Sequence, residues 1–98
     1  MEKVFIVAAK RTAVGKFLGS LTNFTPGDLG AIVIRDLIKE TGIAPEKFDS
    51  VIVGNVLSGG QGQGVGRQCA LKGGIPVEVP AYSINMVCGS GMKSVMNG

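Results

Sequence analysis

Cys88 is the residue of this chain best placed for covalent chemistry. It follows the apolar run Ala81–Met86 and precedes Gly89, Ser90 and Gly91. That order predicts a strand, a tight turn and a helix over Met92–Met96. Amides at a helix N-terminus lack partners and favour negative charge. A thiol held there ionises more easily, and the thiolate is the nucleophile. The small residues after it let a substrate approach, and the Cys88 N–H can face a developing oxyanion. The layout resembles a nucleophile elbow with sulfur in place of oxygen. An unpaired cysteine is also commonly a small buried hydrophobe, and spacing alone leaves both readings open.

A nucleophilic cysteine needs a base to take its proton. The chain contains no histidine. Tyr82 and Lys93 are near in sequence but poorly suited, Lys93 lying more than a helical turn beyond Cys88. Either Cys88 is not catalytic or its partners lie outside this sequence. The second thiol, Cys69, sits beside Ala70 and Leu71 within a predicted helix and reads as a core residue. A Cys69–Cys88 disulfide is compatible with the spacing but is not expected in a reducing cytoplasm.

The glycine-rich stretch Gly59–Gly66 invites a nucleotide reading, and the motifs refuse it. A dinucleotide fingerprint needs glycines at relative positions 0, 2 and 5. From Gly60, Gly62 and Gly64 the third position falls on Val65, Arg67 and Cys69, and from Gly89 it falls on Ser94. Gly15-Lys16 is followed by Phe17, so no P-loop forms either. Glycine here serves tight turns and close backbone approach.

The elements that position Cys88 follow from hydrophobic patterning. Val4–Ala9 is a continuous apolar run without alternation and predicts a strand covered on both faces. Lys10–Phe24 reads as a solvated loop whose Phe17, Leu18 and Leu21 cover the end of the sheet. Thr25 as N-cap, Pro26 at the first helical position and Asp28 in capping-box register start a helix over residues 26–41. Leu29, Ile32, Val33, Leu37 and Ile38 keep helical spacing, and Gly42 closes it. Val51–Val53, reaching Gly54, is a second strand. Val65–Lys72 is a short helix stopped by Gly73, Gly74 and Pro76, and Ala81–Met86 is a third strand. The order strand, helix, strand, helix, strand, helix implies an α/β fold with parallel strands and crossover helices. Three short helices cannot cover both faces and both edges of such a sheet. The expectation is the opening part of a larger layered fold.

Composition agrees. The chain has 98 residues, of which 45% are hydrophobic and 17% charged, more core-type sequence than so short a chain can enclose. Its net charge of +3 is mild and its bases are scattered, so nothing marks a nucleic-acid surface. No apolar run is long enough to span a membrane. No leader with a cleavage site is visible, so a cytoplasmic protein is expected.

Four separated segments carry a family resemblance. Asn85-Met86-Val87-Cys88-Gly89-Ser90-Gly91-Met92 resembles the acyl-enzyme cysteine motif of the thiolases. Val7–Thr12 through Gly15-Lys16-Phe17 resembles their N-terminus, and Val53–Leu57 and Gly66-Arg67-Gln68 match further stretches in order. Ala13 departs from a usual proline and Cys69 from a usual small residue. The nearest branch is the biosynthetic one, the acetyl-CoA acetyltransferases. The resemblance implies a thiolase-like layered fold of which residues 1–98 are the N-terminal βαβαβα portion, an incomplete half-domain. It implies that Cys88 accepts an acyl group, either in Claisen condensation of two acetyl-CoA molecules or in thiolysis of acetoacetyl-CoA. It implies coenzyme A thioesters as substrates, no covalently bound cofactor or metal, and a homo-oligomer, dimer or tetramer. The activating histidine and second cysteine of the family would come from sequence beyond residue 98, so this chain alone is expected to be inactive. Two alternatives stand beside it: a non-catalytic module that assembles through its sheet edge, and another Claisen-condensing enzyme such as a ketoacyl synthase or hydroxymethylglutaryl-CoA synthase.

Overall fold

The computed structural model describes residues 2–98. Helix α1 spans Pro26–Thr41, and its start follows from local chemistry. The Thr25 hydroxyl accepts from the Asp28 N–H at 3.1 Å, and the Asp28 carboxylate accepts from the Thr25 N–H at 3.0 Å. Two helix-end donors are thereby satisfied reciprocally. Gly42, at φ 67°, closes the helix in the left-handed conformation. A single 3₁₀ turn at Pro45–Lys47 leads into strand β1, Val51–Gly54. Helix α2, Val65–Lys72, crosses to strand β2, Ala81–Ile84. Helix α3, Ser90–Asn97, follows β2. The strands run parallel, with Val51 opposite Ala81 and Gly54 opposite Ile84.

Packing is densest where α1 meets α2, and it depends on small residues. Cys69 and Ala70 of α2 and Ala31 of α1 are fully buried. Gly30 faces Cys69, where a β-carbon would meet its sulfur. Ala70, Ile75 and Val79 form the buried cluster, with Ile34, Ile38, Phe48, Val51 and Ala81 packed around it. The predicted core role of Cys69 is therefore observed, and burial pushes its thiol pKa up. Helix α3 packs chiefly on β1.

Three details differ from expectation. The Val4–Ala9 strand is not formed: the sheet has two strands, and Val4, Phe5, Ile6 and Val7 are 73–86% exposed. Strand preference in such a run reflects fit against neighbours, and among the described residues no strand lies beside it to take up its backbone groups. Phe17 and Leu18 cover nothing, being 94% and 76% exposed. Strand β2 ends at Ile84 rather than Met86, and α3 starts at Ser90 rather than Met92, because side chains of Asn85 and Ser90 bond the intervening backbone into a turn.

The capping carboxylate also ties α1 to α2. Lys72 Nζ lies 2.9 Å from Asp28 Oδ1. The Thr25 amide first, then Lys72 and the Thr25 hydroxyl, hold the Asp28 pKa at about 2, against 3.8 for the free group. The unfolded chain therefore takes up this proton at a higher pH than the folded one. The contribution of Asp28 is present above about pH 4 and is lost as pH falls toward 2. Asp28→Asn is expected to melt below the parent at pH 7, with the gap closing near pH 2. An equal gap at both pH values in thermal melts would contradict this.

Candidate active site

The turn that carries Cys88 is built from four residues and pinned from two sides. Gly89 N–H donates to Met86 O at 3.0 Å, closing the turn over Val87 and Cys88. Val87 has φ 49°. A positive φ at the first central position alone is the type II′ pattern, where glycine is usual. For a β-branched residue this is a strained conformation, costing on the order of 1–3 kcal/mol unless the surroundings enforce it.

The surroundings are Asn85 and Ser90. Asn85 Oδ1 accepts from Val87 N–H at 3.0 Å, and its Nδ2 donates to Val56 O at 3.2 Å, anchoring the turn to the segment after β1. Ser90 is 3% exposed, and it is the buried polar residue of the described chain. Its hydroxyl accepts from Met86 N–H at 2.8 Å and donates to Val87 O at 2.7 Å. Ser90 in turn rests on β1: a β-carbon at Gly54 would lie 2.5 Å from the Ser90 carbonyl carbon. Only a glycine at the end of β1 lets the first turn of α3 sit that low.

Cys88 itself is exposed and its thiol is free. Helix α3 begins two residues later, with Gly89 as an N-cap that offers no side-chain bond. Among the described residues, the amides of Cys88, Gly91 and Met92 find no acceptor. Cys88 thus stands beside unpaired donors at a helix start, as its sequence context predicts. Neither Tyr82 nor Lys93 makes a side-chain hydrogen bond or ion pair among the described residues. The arrangement sets an exposed thiol beside unpaired amides, and among the described residues no side chain bonds to that thiol.

The glycine loop lies alongside. Gly60, Gly62 and Gly64 all take positive φ, between 56° and 79°, which is the backbone role expected of them. Gln68 Nε2 holds the loop through Gln61 O at 2.8 Å and Gln63 O at 3.0 Å. Between this loop and the end of β2 lies a cavity of about 230 Å³, with Asn55, Ser58, Ser83 and Asn85 in its lining. The sequence reading gives Asn85 no role and takes Ser90 only as a small residue that lets substrate approach. The available signal was a small polar residue on each side of a predicted strand-to-helix turn, the kind of position where side chains bond local backbone.

Comparison with known proteins follows the same line. The family model for the thiolase N-terminal domain matches residues 4–98. The chain is 52% identical to an acetyl-CoA acetyltransferase of Pseudomonas aeruginosa, covering 100% of this chain and 25% of that protein. It is 50% identical to a probable acetyl-CoA acyltransferase of Staphylococcus aureus, covering 97% and 24%. Among solved structures it superposes on human mitochondrial 3-ketoacyl-CoA thiolase in complex with CoA, with TM-score 0.89 and 44% identity over 96% of this chain and 24% of that one. The Acat5 thiolase of Ascaris suum in complex with coenzyme A gives TM-score 0.87 and 38% identity, over 90% and 23%. The chain therefore spans about a quarter of the length of these relatives. With the α/β fold, the cysteine turn and the match over nearly every residue in agreement, this chain belongs to the thiolase family.

Proposed function

We propose that the chain is the N-terminal segment of an acetyl-CoA C-acetyltransferase and that Cys88 is its acyl-accepting nucleophile. The observation that carries this reading is the exposed, free Cys88 on a strained strand-to-helix turn flanked by unpaired amides. In the reaction, Cys88 Sγ attacks the carbonyl carbon of acetyl-CoA as its thiol proton passes to a base. The carbon–sulfur bond to coenzyme A breaks, and coenzyme A leaves as the thiol. The α-carbon of a second acetyl-CoA, deprotonated by another base, then attacks the acetyl carbonyl. Cys88 is expelled and acetoacetyl-CoA forms. Run backwards, the same steps cleave acetoacetyl-CoA. Oxyanions arise at the carbonyl in both steps, and free amides beside the cysteine suit them.

In this reading both bases belong to a longer polypeptide of which these residues are part, since Tyr82 and Lys93 make no side-chain hydrogen bond or ion pair among the described residues. The exposed apolar side chains of Val4–Val7 fit the same reading, because further sheet of a longer polypeptide would cover them. The reading extends to a cytoplasmic homo-oligomer acting on coenzyme A thioesters.

Its test has two arms. The 98-residue chain, purified free of any longer thiolase, is expected to show no thiolysis of acetoacetyl-CoA. The longer polypeptide carrying these residues, quenched in acid after mixing with labelled acetyl-CoA, is expected to hold the label on the peptide containing Cys88. Turnover by the short chain, or label on any other residue, would defeat the proposal.

A further inference from the structure

We infer that Ser90 is a positioning residue for Cys88, acting by locking Val87 in its strained conformation. The inference rests on the reading of Cys88 as nucleophile but is separable from it by experiment. Three observations converge. Ser90 is buried, at 3% exposure, while Val87 and Cys88 on the same turn are exposed. Its hydroxyl uses both of its capacities on the turn, accepting from Met86 N–H and donating to Val87 O. Those two backbone groups bracket the one strained residue of the site, Val87 at φ 49°. A turn of this kind ordinarily relaxes unless glycine fills the strained position. Val87 gains little from packing, being 65% exposed, so burial of its own side chain does not hold it there.

The backbone of Ser90 is fixed independently. Its carbonyl sits on Gly54, so the hydroxyl is referenced to β1 rather than to the turn it holds. Asn85 completes the frame by bonding Val87 N–H. The direction in which Cys88 leaves the turn is thus set by Ser90 from below and Asn85 from one side. Ser90 does not touch the reacting atoms. Its effect passes through Val87.

The experiment compares alkylation of Cys88 and Cys69 by iodoacetamide in the 98-residue chain, resolved by peptide mass. Ser90→Ala is expected to slow Cys88 about tenfold while Cys69 keeps its slow rate. Ser90→Thr, which keeps the hydroxyl, is expected to stay within about threefold of the parent. Glycine adopts positive φ freely, so in a Val87→Gly background the turn needs no lock. There Ser90→Ala should change the Cys88 rate no more than about twofold. This dependence on Val87 is the signature that a merely structural serine would not give. An unchanged Cys88 rate in Ser90→Ala overturns the inference. So does a parallel rise at Cys69, which would mean that the helices have opened and that Ser90 serves the fold alone. If Ser90→Ala slows Cys88 as expected but acetyl-CoA never labels Cys88 in the longer polypeptide, the positioning role stands and the catalytic reading falls.

Discussion

Gly54→Ala is expected to cost about 1–3 kcal/mol of stability and to move Cys88, although the two residues are 34 positions apart in sequence. The new β-carbon would lie 2.5 Å from the carbonyl carbon and oxygen of Ser90 and 2.6 Å from the Gly91 nitrogen. All three are backbone atoms, so no side chain can swing aside. The first turn of α3 must lift from the strand, and it takes with it the hydroxyl that holds Val87. In the proposed longer acyltransferase, a displacement on the order of 1 Å at Cys88 is expected to cost about a hundredfold in rate. Gly91→Ala is the control. A β-carbon there meets nothing within 4 Å, and alanine suits a helix better than glycine. It is expected to leave stability unchanged or slightly raised. Urea melts of the two variants beside the parent decide the matter, and Gly54→Ala unfolding at the parent's midpoint would show the contact to be soft.

The contrast between these two glycines marks how far the sequence could be read. Helix α1 was legible to its ends, because its signals are local: Thr25, Pro26 and Asp28 at one end, Gly42 at the other, and helical spacing between. Helix α2 and strand β1 were legible for the same reason. Cys69 was readable as core because Ala70 and Leu71, which follow it in the helix, are apolar. Val4–Ala9 was misread, since an apolar run states what it would pack against and not whether that neighbour is present. The position of Cys88 at a strand-to-helix turn could be read from the alternation of apolar runs and glycines. What makes the turn hold could not. Gly54 and Ser90 are separated in sequence by α2 and β2 and meet only in the tertiary structure, and no pattern within either segment announces that contact. The same is true of the Asn85 bond to Val56, which joins the ends of two strands.

The largest effect is expected from Cys88→Ser in the proposed longer acyltransferase: a loss of acyl transfer of at least about a thousandfold. In the reaction proposed above, sulfur is required in both half-reactions. Moving an acetyl group from the sulfur of coenzyme A to the sulfur of Cys88 would exchange one thioester for another, so the intermediate would be neither a sink nor a barrier. Serine fails on entry, because its hydroxyl is a far weaker acid and offers little nucleophilic anion. It fails again on exit, because an oxygen ester is more stable than a thioester and its alkoxide is a poorer leaving group for the carbanion. The substitution barely disturbs the fold, since Cys88 is exposed and its sulfur makes no hydrogen bond among the described residues. Cys69→Ala gives the opposite pattern. It removes a buried sulfur from the contact between α1 and α2, costs about 1 kcal/mol, and leaves the rate of acyl transfer unchanged below the melting range. Rates from acetyl-CoA and melts of both variants separate the two thiols. A Cys88→Ser enzyme within tenfold of the parent, or a Cys69→Ala enzyme that folds normally yet fails to transfer acetyl groups, would assign the chemistry to the wrong cysteine.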